Sequence, residues 1–359
     1  MSSWLLAVAL ALSTPVPAAV VAADPIPRSE VMAMPPGLRA QVHEIVIGSD
    51  AAPTQRFQRL MNFVVDSHGL GVTYEEDATY TVAEAYANRK ANCLTFTLLV
   101  LALAKEAGLE AYPQEVGETL SWREVDGTIY RDNHINAGVR VGGHRYTIDP
   151  AADLVFLPRS PVKVSHERLL SHYYNNVAVD RLQQGRIDAA LQNMAVALDL
   201  DPSYATLWSN AGVMQLHNGN AAAAERAYLK ALALDPVDAS ALFNMVQLLH
   251  RLKDPRERGY RQRLARVEQK DPLQQFLRAL DCERAGDYPG AIVNMRRAIQ
   301  LKPDEHRFYA ALARIYERAG DITRARSALA SAQSHSRGKI HAGYQAERDR
   351  LRREQATKD

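Results

Sequence analysis

The spacing of hydrophobic and polar residues divides this chain into two parts that meet near Pro161. In the first part, residues 38–47 and 54–65 have helical spacing, an apolar run follows at 94–104, and alternating, strand-like segments come after it. In the second part, hydrophobic residues keep helical spacing almost to the C-terminus. Helices followed by strands predict an α+β domain, and the second part predicts an all-α array.

The strand-like segments include one well-defined hairpin. Gly142-Gly143 stands between two alternating segments and predicts a two-residue turn, which pairs the strands on either side. In this register His134 and Asp149 lie on the same polar face as diagonal neighbours, whereas a slip of one residue would separate them. The predicted strands are 110–116, 127–130, 134–141 and 144–149.

The apolar run begins after a cysteine. Between Leu94 and Ala104 only Thr95 and Thr97 are polar, so this helix has no solvated face and is predicted to be buried. Cys93 then lies at the helix N-terminus, where unpaired backbone N–H groups and the helix dipole favour a thiolate. Such a cysteine is either a nucleophile or a small buried hydrophobe, and this stretch alone leaves both interpretations open.

Three residues of this part could form a catalytic triad. An imidazole beside a carboxylate is held in one tautomer and can take the proton of a thiol. Cys93, His134 and Asp149 therefore match a nucleophile, its base and an orienting group. Each residue alone has an ordinary structural explanation, but the three in this order favour a catalytic constellation.

The stretch "YANRKANCLTFTLLVLALAKEAGLEAYPQEV", then Trp122, then "NHINAGVRVGGHRYTIDP" resembles the bacterial transglutaminase-like domains, which share a papain-like core. The resemblance implies a nucleophile at Cys93, a base on the first strand of a hairpin at His134, and a carboxylate at the end of the next strand at Asp149. It also implies acyl transfer on a peptide or protein amide, by hydrolysis or transamidation. The superfamily includes inactive binding modules, so a non-catalytic adaptor is the alternative.

Further site residues are less defined. Trp122 is a candidate for lining the substrate cleft, with a position in the core as the alternative. No cofactor or metal site is expected, because the chain has no metal-ligand cluster, phosphate loop or dinucleotide fingerprint.

A period of 34 residues dominates the second part. Gly185 and Gly219 are one period apart, and so are Gly286 and Gly320. Each unit consists of two amphipathic helices, and the units resemble the tetratricopeptide repeat. The third unit is degenerate, because Lys253 stands where glycine is expected. Small residues occupy a position of close helix approach in the other four units, at Ala178, Gly212, Ala279 and Ala313.

Asn176, Asn210 and Asn244 recur with the same period on three successive first helices. In tetratricopeptide proteins an asparagine there often faces the concave groove and bonds the backbone of a bound peptide. The resemblance therefore implies a protein or peptide ligand in the repeat groove. The alternative is that these side chains tie neighbouring helices together.

Residues 1–23 carry no charged side chain and end in Val21-Ala22-Ala23, which is typical of a signal-peptide cleavage site. We therefore expect an exported, periplasmic protein, with an uncleaved N-terminal membrane anchor as the alternative. No other stable membrane span is expected. The net charge of +2 does not favour nucleic-acid binding. Cys282, the second cysteine, falls at a helix-packing position and is expected to be structural.

The sequence thus predicts an α+β papain-like, transglutaminase-like N-terminal domain followed by an all-α tetratricopeptide-repeat solenoid. Its function is either cysteine-dependent acyl transfer with a repeat domain for protein binding, or that of a non-catalytic scaffold. The predicted units are a signal peptide at 1–23, the transglutaminase-like domain at 24–163, about five repeats at 164–338, and a charged capping helix or tail at 339–359.

Overall fold

The structure is a computed structural model that describes residues 24–48, 51–66, 69–116, 122–125, 128–131, 134–149 and 161–356. The predicted signal peptide lies outside the described residues. Within the described part, no helix is both long enough and apolar enough to cross a membrane.

The N-terminal region begins with short helical segments. Thr81 forms a capping box, in which its hydroxyl accepts from the Glu84 backbone N–H at 3.2 Å and its own N–H donates to the Glu84 carboxylate at 2.8 Å. The helix expected at 38–47 changes to π-helical geometry halfway along. The segments are α1 (Arg28–Val31), α2 (Pro36–Gln41), the π-helix (Val42–Ile47), α3 (Pro53–Val65) and α4 (Val82–Asn88).

The apolar helix is α5 (Cys93–Glu106), and every residue from Leu94 to Ala104 is buried, as predicted. The Asn92 side chain caps its N-terminus by accepting from the Thr95 backbone N–H at 2.9 Å. The helix ends just before Gly108, which has a φ of +66° that suits a residue without a side chain.

One face of α5 packs against a four-stranded antiparallel sheet. The strands of the region are β1 (Thr73–Tyr74), β2 (Lys90–Ala91), β3 (Glu110–Val116), β4 (Trp122–Val125), β5 (Thr128–Arg131), β6 (His134–Val141), β7 (His144–Ile148) and β8 (Val162–Lys163). The order in the main sheet is β7-β6-β3-β8, while β1 pairs with β2 and β4 pairs with β5 in two separate ribbons. The sheets are small, and a papain-like topology for this region stays a prediction.

The β6–β7 hairpin has the predicted register, with Val141 opposite His144 and Gly138 opposite Thr147. Ile135, Ala137 and Val139 on the apolar face of β6 are buried in the same core as α5. The register therefore places the polar face of β6 on the side of the sheet that faces away from this helix.

The second part is an all-helical solenoid, as predicted. Five antiparallel helix pairs, here called repeats one to five, are followed by one further helix within residues 161–356. They are α6 (His166–Gln183) with α7 (Ile187–Leu200), α8 (Ala205–His217) with α9 (Ala221–Leu234), α10 (Ala239–Arg251) with α11 (Glu257–Glu268), α12 (Pro272–Arg284) with α13 (Tyr288–Leu301), α14 (His306–Arg318) with α15 (Ile322–Ser334), and finally α16 (Gly338–Ala356).

The turn inside each repeat contains one residue in the left-handed region. Four of these are glycines with φ between +74° and +81°, namely Gly185, Gly219, Gly286 and Gly320. The third repeat reaches the same conformation with Lys253, at a φ of +54°, although a side chain makes it unfavourable.

Two carboxylates are among the groups that hold the N-terminal region on repeat one. The Asp24 carboxylate, directly after the predicted signal peptide, accepts from Arg181 at 2.7 Å, from Arg186 at 3.0 Å and from the amide of Asn193. Burial raises the pKa of Asp24, but the hydrogen bonds from Asn193 and Arg181 outweigh it and leave that pKa below its ordinary value.

The second contact joins β3 to α6. The Glu115 carboxylate lies 3.5 Å from Nε2 of His172 and 3.7 Å from Nε of Arg168, whose guanidinium stacks on the Tyr204 ring. Burial raises the pKa of Glu115, but His172 and Arg168 outweigh it and lower that pKa overall. The α+β region and repeat one therefore meet through paired charges as well as apolar residues.

Apolar cores divide the molecule at a different place from the sequence pattern. The largest core runs from Val31 to Leu249 and joins the α+β region to repeats one to three. A second core runs from Ala279 to Leu351 and joins repeats four and five to α16. A third, smaller core lies within repeats two and three, and among the described residues no core spans repeats three and four.

Candidate functional site

Cys93 is the first residue of α5 and is half-buried, so its thiol is neither sealed in the core nor fully solvated. The hydroxyl of Thr97 donates to the Cys93 carbonyl at 2.8 Å and lies 3.3 Å from the carbonyl of Ile135. A single side chain thus bridges the first turn of α5 and the start of β6. The backbone of the predicted nucleophile is therefore next to the strand that begins at His134.

His134 is the first residue of β6 and lies opposite Val116 of β3. Its imidazole lies outside the described side chains. Asp149 follows β7 directly and is half-buried. The chain brings the backbones of the three predicted triad residues to one end of the sheet, and the triad itself stays a prediction.

Asn136 has a role that the sequence did not assign. It is fully buried, and its Nδ2 donates to Oδ2 of Asp149 at 3.2 Å. Its Oδ1 is buried without a hydrogen-bond partner in the described part of the chain. The hairpin register contains the signal for this contact, because its continuation by one residue beyond the Ala137–Ile148 pair sets Asn136 across from Asp149 on the polar face.

Trp122 begins β4 and lies opposite Arg131, and its indole falls outside the described side chains. The ribbon that it begins lies beside the repeats, because β5 contacts α8 and α10. A role of Trp122 in lining a substrate cleft stays a prediction. Within the described residues, no group of three or more His, Cys, Asp or Glu side chains is arranged to hold a metal ion.

The three periodic asparagines lie on first helices, at equivalent places in α6, α8 and α10. Asn210 is buried, and its Nδ2 donates to Oδ1 of Asn175 in the preceding repeat at 2.8 Å. Asn176 is half-buried, and Asn244 is buried with no partner for its Nδ2 among the described residues. Asn210 thus ties two first helices together, and peptide contact by the three asparagines stays a prediction.

Cys282 lies in α12, half-buried, with its sulfur 3.7 Å from Nδ2 of Asn294 in the paired helix. Neither cysteine forms a disulfide. The position of Cys282 between two helices agrees with a packing role.

The solenoid defines the class of protein. Models of the tetratricopeptide repeat match residues 178–239 and 284–343, on either side of most of the third repeat. The chain therefore contains tetratricopeptide repeats, as the period of its glycines predicted.

Individual proteins are similar to part of this chain. Cellulose synthase 2 operon protein C of Komagataeibacter xylinus is 31% identical over 178 residues, which cover 46% of this chain and 13% of that protein. This chain thus spans a small part of the length of that relative. Among similar solved structures, yeast Tom70 is 14% identical, with 52% of this chain and 40% of that chain covered and a TM-score of 0.34. PilF of Pseudomonas aeruginosa is 18% identical, with 52% of this chain and 94% of that chain covered and a TM-score of 0.28.

Proposed function

We propose that this chain is a scaffold whose tetratricopeptide repeats bind a protein or peptide partner. The observation that carries the proposal is the stacking of α8 on α6 and of α10 on α8, which forms one continuous surface of first helices. Stacked repeats present such extended surfaces to partners. The asparagines at the predicted peptide positions would contribute to this surface with the atoms that are not already bonded to Asn175.

The α+β region fits this role as a fixed part of the scaffold. It is attached to repeat one through Asp24 and through Glu115, and β5 reaches α8 and α10. A partner on this surface of first helices, the inner surface, would therefore lie close to both parts. We accordingly favour the adaptor over an enzyme as the main function.

A photo-crosslinking residue tests the scaffold. Placed at Asn176 on a first helix, it should form an adduct with the partner, while the same residue at the exposed Ala222 on second helix α9 should not. The experiment is done in the cells that make the protein, followed by identification of the adducts by mass spectrometry. Equal labelling from both positions would reject the inner surface as the binding site.

A second candidate function is acyl transfer by Cys93, and the Thr97 bridge between Cys93 and Ile135 favours it. In this proposal the Cys93 sulfur attacks an amide carbonyl, and His134 takes the thiol proton and passes it to the leaving amine. Water or a second amine then attacks the thioester carbonyl, and the proton of this nucleophile returns to Cys93 through His134. Asp149 would orient the imidazole while Asn136 holds one oxygen of its carboxylate.

Thiol labelling tests this second proposal. In a Cys282→Ser background, the rate at which iodoacetamide alkylates Cys93 should exceed that of a free thiol and depend on a group that titrates near neutral pH. The His134→Ala variant should lose that pH dependence. A Cys93 rate equal to that of free cysteine, unchanged by His134→Ala, would leave only the scaffold.

We also propose export to the periplasm, on the basis of residues 1–23. Cleavage after Ala23 would leave Asp24, already bound to Arg181 and Arg186, as the first residue. The intact mass of the protein from a periplasmic extract tests this. A full-length mass in the membrane fraction would support the alternative of an N-terminal anchor.

A further inference from the structure

The solenoid is interrupted between repeats three and four. At the other boundaries the second helix of one repeat packs along the first helix of the next, as α7 does on α8, α9 on α10 and α13 on α14. Helix α12 makes no comparably extensive contact with α10 or α11, both of which are fully described. One side of repeat three is therefore left without the helix that covers the equivalent side of its neighbours.

Two local features accompany the interruption. Five residues, 252–256, join the helices of repeat three, whereas three residues join the pair in each other repeat. Val246 occupies the position of close approach that small residues occupy in the other repeats. A longer connection and a larger side chain both change how the second helix sits on the first.

Helix α12 is held at the end of α11 instead. Nε2 of Gln275 donates to the carbonyl of Glu268 at 3.0 Å, and Arg278 pairs with the Glu268 carboxylate at 2.6 Å. Both contacts involve the last turn of α11. They fix α12 beside this end and leave the groove between α10 and α11 open.

Residues at one equivalent position of three repeats show which contact with the next repeat is missing at the groove. Asn175, Phe243 and Phe276 each stand ten residues before the left-handed turn of their repeat. Asn175 accepts a hydrogen bond from Asn210 of the next repeat, and the Phe276 ring stacks on Phe308 of the next repeat with centroids 5.2 Å apart. Phe243 instead lines the open groove.

The groove has an apolar floor and a polar edge. Its lining includes Phe243, Val246, Leu264 and Ala265, with Gln247 and His250 at the edge. This pattern is complementary to one face of an amphipathic helix, whose apolar residues recur at every third and fourth position.

The surroundings of the groove are positively charged. Arg258 lies seven residues before Ala265 on α11, so it extends the same face of this helix. Arg251, Arg258 and Arg266 are exposed, and none of them forms an ion pair with another described residue. Glu268 at the groove is already paired with Arg278. An acidic polar face on the bound helix would therefore complement this edge.

We propose that the groove between α10 and α11 binds an amphipathic helix of a partner protein, with acidic residues on its polar side, in the place that the next repeat's first helix occupies elsewhere in the solenoid. This inference rests on the proposed scaffold function and adds a second contact surface, separate from the inner face around Asn176.

A synthetic helix tests the proposal directly. The probe is a fluorescent peptide that keeps the apolar residues of α14 (His306–Arg318), including the equivalent of Phe308, and has glutamate at its polar positions. It should bind the full chain saturably, as measured by anisotropy. Ala265→Arg, which places a long side chain over the floor at an exposed position, should weaken binding at least tenfold, whereas Ala222→Arg on the equally exposed surface of α9 should leave it unchanged.

Charge reversal and self-association complete the test. Arg258→Glu should weaken binding of the glutamate peptide and strengthen binding of a matched lysine peptide, because the substitution reverses the charge at this position. Peptide binding that Ala265→Arg does not affect, or no saturable binding at all, would overturn the proposal. So would a dimer of the full chain that Ala265→Arg dissociates, because the occupant would then be a second copy. If the peptide fails while the Asn176 adduct persists, this inference fails and the scaffold function stands.

Discussion

Repeats two and three have the same two helices and the same left-handed turn, yet they pack differently. Gly212 in repeat two lets the Tyr228 ring approach the helix backbone, because a Cβ at Gly212 would lie 2.3 Å from a ring carbon. Val246 stands at the equivalent position of repeat three, one period later. The comparison teaches that the period determines helix pairs, whereas the size of one residue and the length of one connection determine how the pairs stack.

The largest expected effect is in repeat two. Gly212→Val should lower the free energy of unfolding by about 3 kcal/mol, since the new side chain would overlap the Tyr228 ring and neither group has space to move. Urea unfolding followed by tryptophan fluorescence measures it. Val246→Ala in repeat three should lower the free energy of unfolding by less, about 1–2 kcal/mol, because it removes apolar contact without creating a clash. A larger loss from the second variant would contradict the comparison.

The boundary between repeats four and five should depend strongly on one buried carboxylate. Glu283 of α12 pairs with Arg314 at 2.8 Å and Arg318 at 3.2 Å, both on α14. The free energy of unfolding of the Glu283→Gln variant should be lower by about 2 kcal/mol, because the arginines would then donate to a neutral amide oxygen and no longer to a carboxylate. Chemical denaturation of this variant beside Glu268→Gln, at the open boundary, compares the two junctions. Equal losses would show that the junctions do not differ.

The same pair predicts a pH dependence. The hydrogen bond from Arg314 holds the pKa of Glu283 below its ordinary value of 4.5. A carboxylate whose pKa is lowered by folding contributes stability above its unfolded value, and this contribution is lost as the pH falls through the lower folded value. Stability measured between pH 7 and pH 3 should therefore fall below about pH 4.5 in the natural chain, and this component of the fall should be missing in Glu283→Gln. Identical pH profiles would contradict it.

The turns allow a smaller test. Lys253→Gly should stabilise repeat three by about 1 kcal/mol, because glycine accepts the left-handed conformation that lysine adopts there at a cost. Gly219→Ala in repeat two should destabilise by a similar amount for the opposite reason. Thermal unfolding of both variants measures the two shifts, and shifts of the same sign would mean that the turn conformations are not equivalent.

The smallest expected effect is at the open boundary itself. Arg278→Ala removes a partly exposed ion pair with Glu268 and should change the free energy of unfolding by no more than about 0.5 kcal/mol. Denaturation at low and high salt measures it. A loss of several kcal/mol would show that α12 is held to repeat three more firmly than the contacts indicate.

Much of the fold could be predicted where the pattern is local. The alternating segments at 110–116 and 134–141 match β3 and β6, and the Gly142-Gly143 turn predicted the register of the hairpin. Helix α5 was predictable because it has no polar face. β4 was missed, because four residues with two charges do not alternate clearly.

The features that required tertiary information were harder to predict. Burial of Asn210 depends on Asn175 of a neighbouring repeat, so the period alone could not distinguish a peptide contact from a tie between helices. The interruption after repeat three is accompanied by Val246 and by the longer connection at 252–256, and both become noticeable only when repeat three is compared with the regular repeats. The contact between Asn136 and Asp149, by contrast, could have been predicted from the hairpin register alone.

The division of the apolar core after repeat three has a consequence for how this protein can evolve. Because the described residues of the two cores do not overlap, a change that loosens repeats four and five does not remove packing from the α+β region. We therefore expect unfolding to be more cooperative within each half than between the halves. Each half can acquire substitutions, exchange partners or be replaced with little disturbance to the other, so the molecule behaves as two inheritable modules within a single polypeptide.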